Sequence, residues 1–252
     1  MLDRLLAALM LFTRLPFWRL RTVPADCFKR AVEYWPPVGW LTGGLSAAVL
    51  YGAGHLFPIQ AAVVAALACR TLLTGALHED GLGDFFDGFG GGRTREQTLA
   101  IMKDSHTGSY AILGLILYYL LLTSLLAGLG RTGAALALLA GDALSKAVAA
   151  QLINLLPYAR REEESKTKVI YERMSLRAFL GVLAAGIAPA CVIFRHAPRL
   201  WWAALAPVAV LLLLTTLMKR RIGGYTGDCC GATFLLCELS FYAALAAICG
   251  LH

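Results

Sequence analysis

Residues 110–130 have the sequence YAILGLILYYLLLTSLLAGLG, which contains no charged side chain. A transmembrane helix needs roughly 20 predominantly apolar residues to cross the hydrocarbon core of a bilayer, and this stretch has that length. The whole 252-residue chain is similarly apolar, with 58% hydrophobic residues, 15% charged residues and a mean hydropathy of +0.65. The composition therefore predicts an integral membrane protein rather than a soluble domain.

Seven apolar spans of this kind follow one another along the chain. Each is near the length that a bilayer requires, and they cover residues 34–56, 59–77, 110–130, 132–156, 176–194, 200–218 and 232–250. Residues 5–12 form a shorter apolar run, for which we expect a helix that lies at the interface or is partly inserted. The sequence thus predicts an all-α polytopic bundle of about seven transmembrane helices plus an N-terminal interfacial helix, in one domain covering residues 1–252.

The loops between these spans differ in positive charge. Alternate loops, at residues 18–33, 78–109, 157–175 and 219–231, contain fifteen Lys and Arg residues, whereas the opposite loops contain only Arg131, Arg195 and Arg199. Cytoplasmic loops carry the excess of Lys and Arg in membrane proteins. The charge bias therefore predicts that three segments lie on the cytoplasmic side of the membrane: the basic loop containing Arg160, Arg161, Lys166 and Lys168, the Lys219-Arg220-Arg221 loop, and the acidic segment described next.

This distribution also explains the formal net charge of +7 without a nucleic-acid partner. The seven cysteines have no Cys-x-x-Cys spacing and no neighbouring histidine, which argues against a zinc site or a disulfide framework.

Four carboxylates and no basic side chain occupy the segment HEDGLGDFFDGFGGG, residues 78–92. If this segment is helical from Asp80, then Asp80, Asp84 and Asp87 are spaced at i, i+4 and i+7 and lie on one face. Like charges on one face repel each other unless a cation neutralises them, and hard oxygen ligands suit Mg²⁺, which often shares its shell with substrate phosphates. The segment predicts magnesium-assisted phosphoryl chemistry at a membrane surface; the structural alternative is a solvated helix end.

Two further segments carry candidate site residues. Asp104 and Ser105 either cap the helix that starts near Ser109 or complete the metal shell, with Lys103 as a point charge for phosphate. In the segment GGYTGD, residues 223–228, the glycines and the following helix N-terminus favour an anion, and Asp228 is either an N-cap or a cation ligand.

Charged residues within or near the spans have a structural and a functional interpretation. Asp142 and Lys146 are four residues apart and either neutralise each other or serve a function, because intramembrane charges are costly. Arg70 and Glu238 lie near predicted membrane boundaries, where we expect their side chains to extend toward water. His78 falls roughly opposite the aspartates on a helical wheel and is only a minor candidate for a general base.

These motifs together resemble one known family. The chain is similar, nearly end to end, to the cobalamin synthases, the adenosylcobinamide-GDP ribazoletransferases of the bacterial vitamin B12 pathway. The resemblance rests on residues 12–16 (FTRLP), 36–39 (PPVG), 72–75 (LLTG), 78–88 (HEDGLGDFFDG), 101–105 (IMKDS), 143–146 (ALSK) and 224–228 (GYTGD).

This chain departs from the family at four positions. The family usually has an apolar residue in place of Glu79, alanine in place of Gly83, and arginine in place of His106 and, often, Lys146. Neither histidine nor lysine offers the planar five-donor fork of arginine.

The resemblance implies that the 5′ end of α-ribazole or of its 5′-phosphate is joined to adenosylcobinamide-GDP, with release of GMP. Its implied cofactor is Mg²⁺, and its partners are these small molecules and the lipid bilayer; a homo-oligomer stays an open alternative. We expect five aspartates to act as catalytic and metal-binding residues, namely Asp80, Asp84, Asp87, Asp104 and Asp228. The expected substrate-binding residues are His78, Lys103, Ser105, Lys146, Thr226 and Gly227, with weaker candidates at Arg160, Arg161 and Lys219 to Arg221.

Two other functions remain open at this point. A CDP-alcohol phosphotransferase also uses spaced aspartates in a membrane helix, and the segment DFFDG at residues 84–88 is similar to the start of that family's motif. The expected continuation of that motif is absent. A membrane cation transporter would instead use Asp142, Lys146 and Glu238 as a midplane pathway.

Overall fold

The structure, a computed structural model, describes residues 1–160, 169–195 and 197–250. In these ranges the chain consists of α-helices joined by turns and short 3-10 segments, and no β-strand is present. The helices are α1 (Leu2–Phe12), α2 (Trp35–Ala53), α3 (Ile59–Thr74), α4 (Leu77–Gly91), α5 (Arg95–Ile101), α6 (Ser109–Gly128), α7 (Gly130–Ala149), α8 (Leu152–Leu155), α9 (Leu176–Phe194), α10 (Leu205–Ile222) and α11 (Gly227–Gly250). The predicted all-α architecture is confirmed.

Among the described residues, five helical segments are long and apolar enough to cross a membrane, namely α6, α7 extended through α8, α9, Pro198–Ile222 and α11. A sixth span arises if α3 and α4 are counted together, although α4 is bent by 92° relative to α3. The chain is therefore an all-α polytopic membrane protein. The remaining predicted span, α2, is helical but is not among these segments, because its two prolines, four glycines and two hydroxyl residues lower its hydropathy.

Helix α7 lies at the centre of the bundle. Its spanning segment is 83% buried, whereas that of α6 is 22% buried and exposes a row of leucine and isoleucine side chains, as expected of a lipid-facing helix. Helix α2 packs closely along α7 because Gly39 and Gly43 have no side chain. A Cβ atom at Gly39 would come within 2.9 Å of Ala143 Cα, and one at Gly43 within 2.8 Å of the Leu138 carbonyl oxygen. Small residues at a helix interface allow the two backbones to approach closely, and Gly39 and Gly43 do so here.

In the part of the chain that the structure describes, two ion pairs lie inside the bundle. Arg70 of α3 donates to both carboxylate oxygens of Glu238 in α11, at 2.7 and 2.6 Å, and both side chains are almost completely buried. The expectation that these two side chains extend toward water is therefore wrong, because each has its partner inside the protein. Lys146 pairs with Asp142 one turn earlier on α7 and donates to Thr42 of α2 at 2.8 Å. Of the two interpretations of Asp142 and Lys146, the structure shows mutual neutralisation.

The four predicted basic loops meet at one end of the bundle, which we call the loop end. Arg95 donates to the carbonyl oxygens of Ile222 at 2.9 Å and Ala159 at 2.7 Å, and Glu172 N–H donates to Lys29 O at 2.9 Å. At the opposite end, Arg131 donates to Gly54 O at 3.2 Å. The structure thus gathers these loops on one side of the bundle, and which side of the membrane that is stays a prediction from loop charge.

Candidate active site

The acidic segment forms helix α4, which turns away from α3 at the loop end. The turn is made by Gly75 and Ala76, whose φ angles of 65° and 57° are left-handed. Gly75 adopts this conformation without a Cβ penalty, whereas Ala76 does so at some cost. Arg14 N–H donates to Leu73 O at 2.7 Å and ties the turn to the segment after α1. The acidic segment is therefore helical, as predicted, and the helix begins at Leu77, three residues before Asp80.

The three aspartates of α4 line one cavity of about 370 Å³, which we call the acidic pocket. The segment after α5 forms its opposite wall, so that two of the predicted motifs face each other. Its lining residues are Ala76, Glu79, Asp80, Gly83, Asp84, Asp87, Lys103, Asp104, Ser105, His106, Thr107, Ala111 and Leu115. The structure thus brings together four of the five aspartates that the sequence selected, with Lys103 and Ser105.

Asp87 also holds the beginning of α6. Its two carboxylate oxygens accept hydrogen bonds from the backbone N–H groups of Gly108 at 2.6 Å and Ala111 at 2.9 Å. The N-cap residue of α6 is Gly108, which has no side chain to satisfy these donors. Asp87 therefore caps α6 from a different helix, and its negative charge lies at a helix N-terminus, where charge of that sign is favourable.

Asp104 does not cap α6, contrary to one of the two interpretations of its motif. It accepts a hydrogen bond from the backbone N–H of His106 at 3.0 Å and pairs with His106 Nδ1 at 2.7 Å. The side-chain hydrogen bond from His106 lowers the pKa of the Asp104 carboxyl, and the same bond raises the pKa of His106. Protonated His106 therefore persists to higher pH than a free histidine, and Asp104 keeps its negative charge to lower pH.

The carboxylates of the acidic pocket do not form a closed metal cage. Across the ranges that the structure describes, no group of three or more His, Cys, Asp or Glu side chains is arranged to hold a metal ion. Mg²⁺ commonly uses only one or two protein carboxylates and completes its octahedral shell with waters and substrate phosphates. The hard oxygen donors of the acidic pocket fit an ion of that kind, shared with a substrate, and do not fit a preformed all-protein site.

Glu79 is a pocket residue that sequence reasoning missed. Its side chain is almost fully buried, and its Oε1 accepts a weak hydrogen bond from Thr71 at 3.5 Å. Its Oε2 has no hydrogen-bond partner among the described residues. The helical wheel separates Glu79 from the aspartates, but α6 also contributes a wall to the cavity, so a residue on the flank of α4 still lines it.

A second cavity, of about 120 Å³, lies beside the first, and we call it the aromatic pocket. Asp80 lines both cavities and so marks their boundary. Three of the predicted site residues, His78, Gly227 and Asp228, line the aromatic pocket and not the acidic one. The complete lining is Leu11, Phe12, Val32, Trp35, Leu77, His78, Asp80, Tyr158, Arg160, Val169, Tyr171, Gly227, Asp228, Cys230 and Gly231.

The segment before α11 has a different local structure from the predicted anion cradle. Tyr225 N–H donates to Pro157 O at 2.9 Å, and Tyr225 O accepts from Ala159 N–H at 2.8 Å, so the backbone pairs with a neighbouring loop. Thr226, which is buried and lines neither pocket, accepts from Cys229 N–H at 3.3 Å and caps α11. Asp228 is therefore not the N-cap; it lies in the first turn of α11 with its carboxylate 3.8 Å from Arg160.

Two of the basic candidates, Arg160 and Arg221, hold the loop end together through backbone carbonyl groups. Arg160 donates to Leu99 O at 3.0 Å, and Arg221 donates to Phe89 O at 3.3 Å and to Gly92 O. Lys146 is completely buried at its ion pair with Asp142 and lines neither pocket, so its position does not support direct contact with a substrate. Arg161, Lys166 and Lys168 lie outside the described residues. Lys103 is the candidate cation whose side chain lines the acidic pocket.

Comparisons with known proteins agree with the resemblance seen in the sequence. The family model described as cobalamin-5-phosphate synthase matches residues 4–246. A curated protein of Shewanella sp. (strain W3-18-1), named adenosylcobinamide-GDP ribazoletransferase, is 37% identical over 247 residues, which cover 97% of this chain and 94% of the relative. A protein of the same name from Shewanella oneidensis is 36% identical over 257 residues, which cover 99% of this chain and 96% of the relative. No solved structure matches the chain.

Proposed function

Because the chain belongs to the cobalamin-5-phosphate synthase family, we propose that its acidic pocket is the active site for the reaction after which its relatives are named. The chain is a multi-pass membrane transferase of an assembly step in cobalamin biosynthesis. In the proposed reaction, α-ribazole or its 5′-phosphate is joined to adenosylcobinamide-GDP and GMP leaves. The observation that carries the proposal is the convergence of Asp80, Asp84 and Asp87 with Lys103 and Asp104 in one pocket at the loop end.

The covalent change is a phosphoryl transfer. A free ribose hydroxyl of the ribazole attacks the phosphorus that bears the cobinamide arm, the bond from that phosphorus to the oxygen of GMP breaks, and the hydroxyl proton goes to a base. The 5′ oxygen is not this nucleophile in the 5′-phosphate, because it is already esterified and carries no proton. We assign Asp80 as that base because it is exposed and lines both pockets, so that it can reach a group entering from either one. Lys103 meets the diphosphate as a point charge on the opposite wall.

We assign Asp84 and Asp104 as the carboxylates that hold Mg²⁺ together with the substrate, with Asp80 and Asp87 beside them. Mg²⁺ held there would neutralise the diphosphate and stabilise charge on the leaving GMP. Asp228 contributes from the adjoining cavity, where it faces Arg160, and orients the incoming nucleoside. The acidic pocket is assigned to the cytoplasmic face of the inner membrane because the loops that build it carry the excess of Lys and Arg.

The test uses the full chain in nanodiscs with adenosylcobinamide-GDP, α-ribazole and Mg²⁺. We expect release of GMP together with a cobalamin product, loss of both on chelation, and recovery when Mg²⁺ is added back. Asp84→Asn should reduce turnover by at least about 100-fold, as expected when a metal-stabilised transition state loses a ligand. Wild-type turnover from Asp84→Asn at saturating Mg²⁺, or cation flux in sealed vesicles without GMP release, would refute the proposal.

A further inference from the structure

A third cavity, of about 380 Å³, lies at the loop end between the beginning of α2 and the first turns of α9, and we call it the basic groove. Sites for small molecules in proteins typically have volumes of about 300–1,000 Å³. Three arginines line the groove, namely Arg4, Arg30 and Arg177, together with one acidic residue, Glu33. None of its lining residues also lines the acidic or the aromatic pocket, so the groove is separate from the site of the proposed reaction.

The arginines of the basic groove differ in how their charge is balanced. Arg4 lies 3.6 Å from Glu33, and Arg30 donates to Glu172 at 2.8 Å. Arg177 is exposed in the first turn of α9, which has no acidic residue to balance it. That turn is the positive end of the helix dipole, where a negative group is favourable and a second positive charge is not. The groove therefore has an excess of positive charge centred on Arg177, which an anion would balance.

Below this basic rim, the groove continues along α9 over small and apolar residues. Gly181, Val182 and Ala185 line it, and a Cβ atom added at Gly181 would have no neighbouring heavy atom within 4 Å, so the space beside Gly181 is open. Ala185 is about 14 Å along the helix axis from Leu176, at 1.5 Å per residue. Only 17% of the spanning segment of α9 is buried, as expected of a helix that faces lipid. The groove thus extends from the loop end to the depth of the acyl chains.

A basic rim above an apolar floor selects one class of ligand. A free phosphate ion would pair with the arginines but would leave the apolar floor uncovered. A zwitterionic phospholipid brings its own cation, which the arginines would repel. An anionic phospholipid satisfies both parts, because its phosphate lies at the headgroup level and its acyl chain lies in the hydrocarbon. Basic pockets between transmembrane helices bind anionic headgroups in this way.

We propose that the basic groove binds one anionic phospholipid from the leaflet at the loop end. Its phosphate lies at Arg177, flanked by Arg4 and Arg30, and one acyl chain lies along Gly181 and Ala185. Such a lipid contacts α1, the beginning of α2 and α9 together, so its binding stabilises their packing by mass action. The proposal does not depend on the reaction assigned to the acidic pocket, because the two cavities share no residue.

The experiment titrates the full chain in detergent with phosphatidylglycerol or phosphatidylethanolamine, and native mass spectrometry measures how much of each lipid remains bound. We expect tighter binding of phosphatidylglycerol and a rise in Tm when it is added. Arg177→Gln should weaken phosphatidylglycerol binding about fivefold, which corresponds to one arginine near an anionic headgroup. Lys29→Gln is the matched control, because it removes the same charge from the same end of the molecule and Lys29 does not line the groove. Its affinity for phosphatidylglycerol should equal that of the wild-type chain.

Gly181→Leu tests the apolar part of the groove without changing any charge. The new side chain enters open space, so we expect the protein to fold and to lose the bound phosphatidylglycerol together with the rise in Tm. Gly52→Leu is the control, because a side chain there also enters open space but lies at the far end of α2. It should bind phosphatidylglycerol as the wild-type chain does.

Four results would overturn the proposal. The first is equal affinity for phosphatidylglycerol in the wild-type chain, Arg177→Gln and Gly181→Leu, and the second is equal binding of the two lipids by the wild-type chain. The third is an equal rise in Tm with glycerol phosphate, which has no acyl chain and would show a site for the anion alone. The fourth is a wild-type dimer that Gly181→Leu dissociates, because the groove would then take a second copy of the chain.

Discussion

Asp87 lines the acidic pocket and also accepts two backbone hydrogen bonds at the start of α6. An asparagine at this position has one acceptor oxygen and would direct its NH₂ group at the second backbone N–H. We therefore predict that Asp87→Asn lowers thermal stability as well as turnover. The loss of a cap costs about 1 kcal/mol, which corresponds to a fall of roughly 2–4 °C in Tm for a chain of this size.

Asp80→Asn is the control for this prediction, because it removes an exposed carboxylate from the same pocket and the same helix. Its effect should fall mainly on turnover, and its Tm should stay closer to that of the wild-type chain. Thermal unfolding of both variants in the same detergent, followed by circular dichroism, separates the two roles. Identical Tm values for Asp87→Asn and wild type would show that Asp87 does not support α6.

The sequence could predict the acidic face of α4 because helical periodicity alone determines which side chains share a face. It could not predict Glu79 as a pocket residue, since that depends on where α6 and the segment after α5 lie relative to α4. Asp228 was expected beside the other aspartates, yet it lines the adjoining pocket. The motif GYTGD predicts that Asp228 lies near the site, but the backbone pairing of Tyr225 determines which of the two cavities Asp228 lines.

At the scale of helices, the turn between α3 and α4 sets the position of the whole acidic segment. The apolar pattern predicts that the second span ends at residue 77, whereas α3 ends at Thr74 and the chain turns by 92° into α4. An apolar pattern indicates which residues avoid water and does not show where a helix changes direction. The left-handed conformation of Gly75 and the adjacent Arg14 side chain determine that change.

We predict that Gly75→Ala destabilises the protein and disturbs the acidic pocket. A left-handed conformation costs a residue with a Cβ atom roughly 1–2 kcal/mol, and the new methyl group would also collide with the Arg14 side chain. Tm should fall by at least about 2–4 °C, and turnover should fall with it as α4 shifts.

Ala76→Gly is the matched control for this substitution, because Ala76 is also left-handed and glycine relieves the strain there. Glycine also increases the freedom of the unfolded chain, so the two effects nearly cancel and Tm should change little. A wild-type Tm for Gly75→Ala, or an equal loss for both variants, would contradict the assigned role of the turn.

Across the whole molecule, the intramembrane charges connect helices that are far apart in sequence. Arg70 and Glu238 are separated by 168 positions, so no local pattern reveals their contact. Tyr118 and Tyr242 hydrogen-bond the same pair from α6 and α11. Because Glu238 is paired with Arg70 and Asp142 with Lys146, these side chains serve packing of the bundle, and the structure gives no support to a midplane cation pathway.

We predict that Glu238→Leu lowers the free energy of unfolding by about 3–5 kcal/mol, because it leaves the Arg70 guanidinium buried without a counter-charge. The double variant Arg70→Met/Glu238→Leu should recover most of this loss, since it removes both charges. Unfolding in detergent of the two variants and the wild-type chain measures the difference. A double variant as unstable as Glu238→Leu would show that the charges do more than neutralise each other.

The orientation of the whole bundle follows from combining one structural fact with one charge rule. Arg95, just after α4, bonds to Ile222 at the end of α10, so the loops at residues 92–95 and 223–226 must lie on the same side of the membrane. The fifteen Lys and Arg residues in the four loops of the loop end predict that this side is the cytoplasm. Reporters fused after Gly92 and after Tyr225 should both read cytoplasmic, and one fused after Leu56, at the opposite end beside Arg131, should read periplasmic.

A cytoplasmic reading at one of Gly92 and Tyr225 and a periplasmic reading at the other would contradict the helix arrangement itself. Periplasmic readings at both would overturn only the charge-based orientation. In that second case the active site would face away from the nucleotide-linked corrinoid that the reaction requires, so this measurement also tests whether the acidic pocket is on the side where its substrate is made.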